Sequence, residues 1–385
     1  MTTTPNTKPL NVLIVDDTVT YRAILKETLS GLEGINPIAS AKNGLDALEK
    51  MAACAHDNTP IDMVLLDVEM PIMNGMETLH EIRKNYPKVQ VVMVSGVDPN
   101  SANVTFRALE SGALDFVAKP SSGSTSQNIQ NLRDKLYPLF RHVQHSIATL
   151  LPAVQARSSF LPRVATPNTT ASKPLNTESL AAPSLSRTSF CAQIVAIGVS
   201  TGGPNALKEL LPKLPANLGV PVVIVIHMPE VFTGYLADSL NRSCALTVKE
   251  AVAGELLEAN TVYIAPGGRH MTLERHNNNV VVATNLNAPE NSCRPAVDVL
   301  FRSLPSVHSS GILNIVLTGM GSDGAKGIRE IRKSPGHKTL TQSAESCVVY
   351  GMPKAVDDAG LSDESVTLNE LANKIIAYTK HSQRH

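Results

Sequence analysis

The stretch Asn11-Val12-Leu13-Ile14-Val15-Asp16-Asp17 sets the frame for reading the chain. Its apolar run has no polar alternate, so it leaves no wet face, and the two acids mark where it stops. An amphipathic stretch from Tyr21 to Leu32 follows, and the couplet then recurs. INPIASA precedes a helical pattern over Gly44 to Ala53, and IDMVLLD precedes Met76 to Asn85. VQVVMVSG precedes Asn103 to Ser111, and ALDFVAKP precedes a last helix from about Gln127 to Leu150. Five such strand-helix units predict an α/β fold with a parallel sheet covered on both faces.

Polar groups stand where these strands end. Asp16 and Asp17 close the first, Asp67 the third, Ser95 the fourth, and Lys119 with Pro120 the fifth. In an open parallel sheet the carboxyl ends share one edge, where ligands bind at the topological switch point. Three carboxylates gathered there repel unless a cation sits among them, and hard oxygen donors suit Mg²⁺. A carboxylate can then act as nucleophile toward phosphorus, with a lysine and a hydroxyl stabilising charge on the transferred group. A single Asp after a strand is more often a helix N-cap, so the argument rests on the joint pattern.

That pattern resembles the response-regulator receiver domain over about residues 10–135, with a final helix that can extend to 150. The resemblance implies a five-stranded parallel flavodoxin-like fold. It also implies Asp67 as the phosphoacceptor, Asp16, Asp17 and Asp67 as ligands of Mg²⁺, and Ser95, Phe116 and Lys119 as the switch set. Many receivers carry Thr where Ser95 stands and Tyr where Phe116 stands; both exchanges keep the hydroxyl or the ring.

Residues 151–190 hold five Pro, seven Ser, five Thr, no Gly and one acid, Glu178. Such a segment has no apolar face to offset its ordering entropy, and it is expected to be an interdomain linker. Beyond it, in a second unit expected over 191–382, AQIVAIGVS, PVVIVIHM, NTVYIAPG and ILNIVLTGMG repeat the strand-loop-helix logic. NNNVVVATN, after His270 to Arg275, predicts an inserted hairpin. The expected fold is a doubly wound, mainly parallel α/β unit.

Gly198-Val199-Ser200-Thr201-Gly202-Gly203 lies between a strand and a helical stretch opened by Pro204. Glycines allow the tight turn that exposes a hydroxyl at a helix N-terminus. A nucleophilic serine needs a base and an orienting acid. His227 ends PVVIVI, and Asp323 follows NIVL through Thr318 to Ser322, so the three can meet at one sheet edge. Met320 and Gly321 can offer backbone N–H groups to an oxyanion. Three other readings compete. A phosphate-binding loop is one, although neither GK[ST] nor GxGxxG is present. His270 is a second candidate base, and Arg294 with Asp298 is a structural or substrate-facing pair. The order Ser, His, Asp differs from that of ordinary α/β-hydrolases, which points to the same constellation on another fold.

The motifs IGVSTGGP, IVIHMP, YIAPGGRHM, RPAVDVLF, LTGMGSDGA and ESCVVYGMP, within residues 194–353, resemble the chemotaxis protein-glutamate methylesterase family. Its usual architecture is a receiver, a linker and a catalytic domain. The resemblance implies hydrolysis of glutamate γ-methyl esters on the cytoplasmic helices of methyl-accepting chemoreceptors, with deamidation of receptor glutamine in many members. A cognate chemotaxis histidine kinase would be the phosphodonor. On this resemblance Ser200 is the nucleophile, His227 the general base and acid, and Asp323 the orienting carboxylate. Met320 supplies an oxyanion-hole N–H and Thr201 lines the site, with no cofactor at the esterase centre. Cys293 stands where the family often shows His. Domain order suggests gating, with the unphosphorylated receiver packed over the Ser200 cleft.

Composition sets outer bounds. With 385 residues the chain exceeds one ordinary core. Lys plus Arg and Asp plus Glu both total 34, which gives no reason to expect nucleic acid or an anionic membrane as partner. Neither a helix-turn-helix pattern nor a strongly basic helix points to DNA binding. Five widely spaced cysteines without a CxxC pair suggest neither a disulfide framework nor zinc. MTTTPNTKPL lacks a signal-peptide core and no stretch resembles a membrane span, so a soluble cytoplasmic protein is expected, meeting the membrane only through receptors. An esterase or amidase with another substrate, and a binding protein that has lost activity, are the competing classes; intact Ser200, His227 and Asp323 argue against the second.

Overall fold

The computed structural model describes residues 9–120, 123–150 and 190–379. Most of the expected linker, 151–189, therefore lies outside the described residues, as do the first eight positions and 380–382 of the expected second unit.

The first unit alternates β1 (Leu10–Val15), α1 (Val19–Ser30), β2 (Ile35–Ala41), α2 (Gly44–His56), β3 (Met63–Asp67) and α3 (Gly75–Asn85). It continues through β4 (Gln90–Ser95), α4 (Pro99–Glu110), β5 (Asp115–Ala118) and α5 (Thr125–Leu150). All its strand pairs are parallel, in the order β2-β1-β3-β4-β5. Because β2 lies on one side of β1 and β3 on the other, the switch point falls between Asp16, just after β1, and Asp67, the last residue of β3. Helix α4 starts four residues before the pattern alone predicted. Asp98 accepts from the Ser101 N–H and Pro99 fills the first turn, so cap chemistry wins over the apolar period.

The second unit comprises β6 (Ile194–Val199), α6 (Gly203–Leu210), β7 (Val222–Ile226), α7 (Glu230–Ser243), β8 (Thr247–Glu250) and β9 (Thr261–Ile264). Strands β10 (His270–His276) and β11 (Asn279–Asn285) form the expected antiparallel hairpin. Then come α8 (Val297–Val307), β12 (Ile312–Val316), α9 (Ala325–Ile331), β13 (His337–Gln342), α10 (Met352–Asp358), β14 (Glu364–Val366) and α11 (Leu368–Thr379). Seven strands form one parallel sheet in the order β14-β13-β12-β6-β7-β9-β8. The chain winds outward from β6 through β7, then crosses back to place β12 on the other side of β6. That reversal puts the loops after β6 and β12 side by side.

Apolar pattern does not reveal β8, β13 or β14. Strand β13, HKTLTQ, lies between β12 and β14, yet Thr339 and Thr341 are buried on it. Thr341 satisfies its hydroxyl on Asp357 at 2.7 Å and Ser362 at 2.9 Å. Threonine keeps the β-branched shape of a strand residue while hiding from an apolar count.

A continuous apolar cluster joins the two units. It includes Phe106 and Leu109 of α4 and Phe232 and Leu236 of α7. No helix among the described residues is long and apolar enough to cross a membrane.

Candidate active site

Ser200 follows β6 directly. Its N–H donates to Thr318 O at 3.0 Å, and Gly203 N–H closes back on Ser200 O at 2.7 Å. The turn between them needs Gly202, whose φ is +74°, and a Cβ there would stand 2.6 Å from Val348 Cβ. Both constraints exclude a side chain, and the turn delivers the hydroxyl above the first turn of α6.

His227, one residue past β7, places Nδ1 3.1 Å from Ser200 Oγ and Nε2 2.8 Å from Asp323 Oδ2. With the Nε2 hydrogen donated to Asp323, Nδ1 is left as the acceptor for the Ser200 hydroxyl. Burial disfavours the imidazolium, but the Asp323 hydrogen bond and then Cys293 outweigh it and lift the His227 pKa to about 9.

Asp323 is 2% exposed and fully engaged. Oδ2 also accepts Val297 N–H at 2.7 Å. Oδ1 accepts Asp298 N–H at 2.9 Å, Gly324 N–H at 3.0 Å and the Asn291 side-chain amide at 2.8 Å. The carboxylate thus sits on the N-terminus of α8, where free N–H groups and the helix dipole favour an anion. Burial alone would raise its pKa; His227 and these N–H groups hold it below the usual carboxylate range.

Met320 lies in the loop after β12, 44% exposed. Gly319 pins that loop by donating to Val349 O at 2.9 Å and accepting from Gly351 N–H at 3.1 Å and Met352 N–H at 2.7 Å. Among the described residues the Met320 N–H has no hydrogen-bond partner. Thr201 is half-buried, and its carbonyl accepts the Thr318 hydroxyl at 2.9 Å.

The rival residues have structural work. His270 is 1% exposed; its Nε2 meets Ala288 O at 3.0 Å, and its Nδ1 accepts Ala296 N–H at 3.3 Å. Both ring nitrogens are taken by backbone, which removes it as a free base. Arg294 donates to Leu286 O and Asn287 O, while Asp298 accepts from Gly324, Gly327 and Asn291. The two do not pair.

At the first sheet, Lys119 Nζ bridges Asp16 Oδ2 at 2.7 Å and Asp67 Oδ2 at 2.8 Å. One ligand atom from each of Asp16, Asp17 and Asp67 lies within 4.8 Å of the others, so three hard oxygen donors converge as a small divalent cation requires. Burial, with Asp16 adding to it, pushes the Asp67 pKa to about 6 against the opposing Lys119. Ser95 turns the other way. Its hydroxyl is 2.7 Å from Thr105 Oγ1 on α4 and donates to Gly96 O at 3.1 Å. The structure therefore gathers the acids and the lysine, and leaves Ser95 on α4.

Phe116 faces the second unit, half-buried, with its ring stacked on Phe232. Beside it Asp115 Oδ2 accepts Gly202 N–H at 2.8 Å, two residues from Ser200. Asn205 donates to Leu114 O at 2.9 Å and Ala113 O at 3.2 Å, and Glu110 takes both Ser239 and Arg242. Burial pushes the Asp115 pKa up to about 6 against the Gly202 and Phe116 N–H groups. Sequence reading missed Asp115, Phe232, Asn205 and Asn291, because each acts through a partner far along the chain. A cavity of about 770 Å³ lies elsewhere, at the other end of the first sheet between Pro60, Tyr86 and Ile147, away from this chemistry.

Residues 195–375 match the CheB methylesterase family, and residues 12–129 match the response regulator receiver domain. A protein-glutamate methylesterase/protein-glutamine glutaminase of Desulfotalea psychrophila is 40% identical over 376 residues, 97% of this chain and 99% of its own length. One of Trichodesmium erythraeum is 40% identical over 366 residues, 95% and 97% of the two chains. A crystal structure of the Thermotoga maritima CheB methylesterase catalytic domain aligns at 39% identity and a TM-score of 0.47, covering 48% of this chain and 98% of that one. Near full-length likeness of this kind, across both sheets, makes the chain a member of the CheB methylesterase family with a response regulator receiver domain at its N-terminal end.

Proposed function

We propose that this chain is a phosphorylation-gated protein-glutamate methylesterase and protein-glutamine glutaminase, acting in the cytoplasm on methyl-accepting chemoreceptors. The observation that carries the reading is the continuous relay from Ser200 Oγ through His227 to Asp323, at 3.1 and 2.8 Å.

In this reading Ser200 Oγ attacks the glutamyl ester carbonyl while His227 Nδ1 takes its proton. The Met320 N–H is directed at the developing oxyanion, and Thr201 lines the cleft. His227 then returns the proton to the departing methoxide, and methanol leaves a glutamyl-serine ester. Water, deprotonated by the same histidine, hydrolyses that ester to a glutamate carboxylate and free Ser200. Glutamine follows the same path with ammonia as leaving group. The chain divides accordingly into a receiver over 10–135, a linker over 151–190 and a catalytic unit over 191–382.

In the receiver, Asp67 is the acceptor for a phosphoryl group from a chemotaxis histidine kinase. Asp16, Asp17 and Asp67 would hold Mg²⁺, which when bound offsets their mutual repulsion and the charge of the incoming phosphoryl oxygens. Lys119, already between Asp16 and Asp67, stabilises the phosphoryl group from the other side. Phosphorylation competes for Lys119 and draws Ser95 off α4. Because α4 and β5 carry Phe106, Asp115 and Phe116 against the catalytic unit, that change loosens a contact two residues from the nucleophile.

The test is incubation of the full chain with methylated and amidated receptor fragments, with and without a small phosphodonor, followed by mass spectrometry. Loss of methyl or amide groups that rises with the phosphodonor and vanishes in Ser200→Ala is expected. Modification unaffected by Ser200→Ala would defeat the proposal.

A further inference from the structure

Asp323 has a neighbour that the reaction scheme leaves unused. Asp298, wholly buried in the first turn of α8, points its carboxylate into the same pocket. The side-chain amide of Asn291 stands between the two acids, its nitrogen 2.8 Å from Asp323 Oδ1 and 2.9 Å from Asp298 Oδ2. Both partners are acceptors, so the amide must present its NH₂ side, and each hydrogen has one carboxylate to serve.

The backbone is shaped to put it there. Asn291 and Ser292 have φ of +53° and +61°, and Glu290 and Cys293 exchange both backbone bonds around them, at 3.0 and 2.9 Å. This is a two-residue turn with both central residues left-handed, and Asn is well suited to its first position. Arg302 anchors the turn from α8 through an ion pair with Glu290. A turn requirement explains asparagine or glycine equally well; it does not explain an amide aimed at two buried acids.

We infer that Asn291 is a positioning residue for the esterase reaction, whose amide fixes the Asp323 carboxylate with Oδ2 toward His227 and, beside the Gly324 N–H, bridges it to the second acid, Asp298. This rests on the esterase reading above. Oδ1 is held by Asn291 and two backbone N–H groups, which leaves Oδ2 with only Val297 N–H and the histidine. Without the amide, the carboxylate is freer to turn, and the negative potential at His227 rises because the two acids are left with a single shared donor, the Gly324 N–H, 3.0 Å from an oxygen of each.

The turn and the amide can be separated with Asn291→Gly, which suits left-handed backbone and deletes only the side chain. In the phosphorylated full chain acting on a methylated receptor fragment, kcat is expected to fall about 10- to 100-fold, the factor for a lost hydrogen bond to a charged group. KM should change little. The His227 ring, followed by NMR in the same protein, should titrate at higher pH than in the parent, and the thermal midpoint should stay close to the parent value. Asn291→Asp, which keeps the shape but puts a third acid in the pocket, should lose more activity than Asn291→Gly. An unchanged kcat or an unchanged His227 titration in Asn291→Gly overturns the assignment. Because the titration needs no substrate, it decides the role of Asn291 even if receptor esters prove not to be the substrate.

Discussion

Phe116 lies flat on Phe232, with ring centroids 4.6 Å apart and planes 9° from parallel. One ring comes from β5 of the receiver, three residues before Lys119; the other comes from the first turn of α7, five residues after His227. The stack therefore ties the neighbourhood of Lys119 and Asp67 to the neighbourhood of His227. An aromatic pair adds about 0.5–1.5 kcal/mol beyond its buried area. Phe116→Ala should release the unphosphorylated receiver and raise basal ester hydrolysis roughly two- to tenfold. The phosphorylated rate should be unaffected. Basal and phosphodonor-stimulated rates of the full chain measure this, and a basal rate equal to the parent's would remove the stack from the gate.

Asp115 adds a pH dependence to the same contact. Its pKa in the packed arrangement, about 6, lies above the ordinary 3.8, so the packed form holds the proton more tightly than the released form. Acidification from about pH 6 toward 4 should therefore tighten packing, and above pH 6 the group is ionised in both forms and adds no slope. The ratio of basal to phosphorylated activity should fall across that window. Asp115→Ala should raise the basal rate and flatten the ratio.

His227 sets a second window. Its pKa of about 9 in the folded protein exceeds the usual 6.5, so its contribution to stability is complete below pH 6.5 and is lost as pH rises through 9. Activity runs the opposite way, since only the neutral ring accepts the Ser200 proton. The acid limb of kcat/KM should lie above the ordinary histidine range. Asp323→Asn should lower that limb and cut kcat by roughly 10³- to 10⁴-fold, as loss of the orienting acid does in comparable triads. A pH profile of both proteins checks the two effects together.

Lys119 supplies the positive charge among three acids, and its side chain is 23% exposed. Lys119→Met should cost about 1–3 kcal/mol, less than the loss of a partner from a fully buried pair because solvent screens this one. On the metal reading proposed above, Mg²⁺ would bind only the folded cluster, so it should raise the thermal midpoint of the variant more than that of the parent. Melting curves with and without Mg²⁺ test it; an indifferent variant would speak against the three-carboxylate metal set.

Much of the fold is legible in the sequence because β1, β3, β4, β6, β7 and β12 are apolar runs that end in a turn signal. Their polar terminators then fall on two sheet edges by topology alone, which is why Asp16 with Asp67, and Ser200 with His227 and Asp323, meet in space. Strands β8, β13 and β14 escape the same reading. TVKE, HKTLTQ and ESV spend their buried positions on threonine or sit at the sheet margin, so no apolar count marks them. Asn291 is illegible for a different reason. Its signal is a left-handed backbone pair and two acceptors at positions 298 and 323, none of which is written at position 291 itself. The orientation of Ser95 is equally hidden, because Thr105 competes for its hydroxyl from a helix face that periodicity assigns only as amphipathic.

The hydrogen bond from Gly202 to Asp115 bears on how freely the two halves of this chain can be exchanged. A foreign receiver grafted onto residues 190–379 would bring its own acceptor, lysine and acids, and would still take up a phosphoryl group. Without an acid at 115 to meet the Gly202 N–H and a ring at 116 to cover Phe232, it would have no grip on the serine loop. Such a hybrid would keep at most contacts like those of Asn205 and Glu110 and would lose the hold nearest Ser200, so interchangeability of parts is limited first at a pair of adjacent side chains.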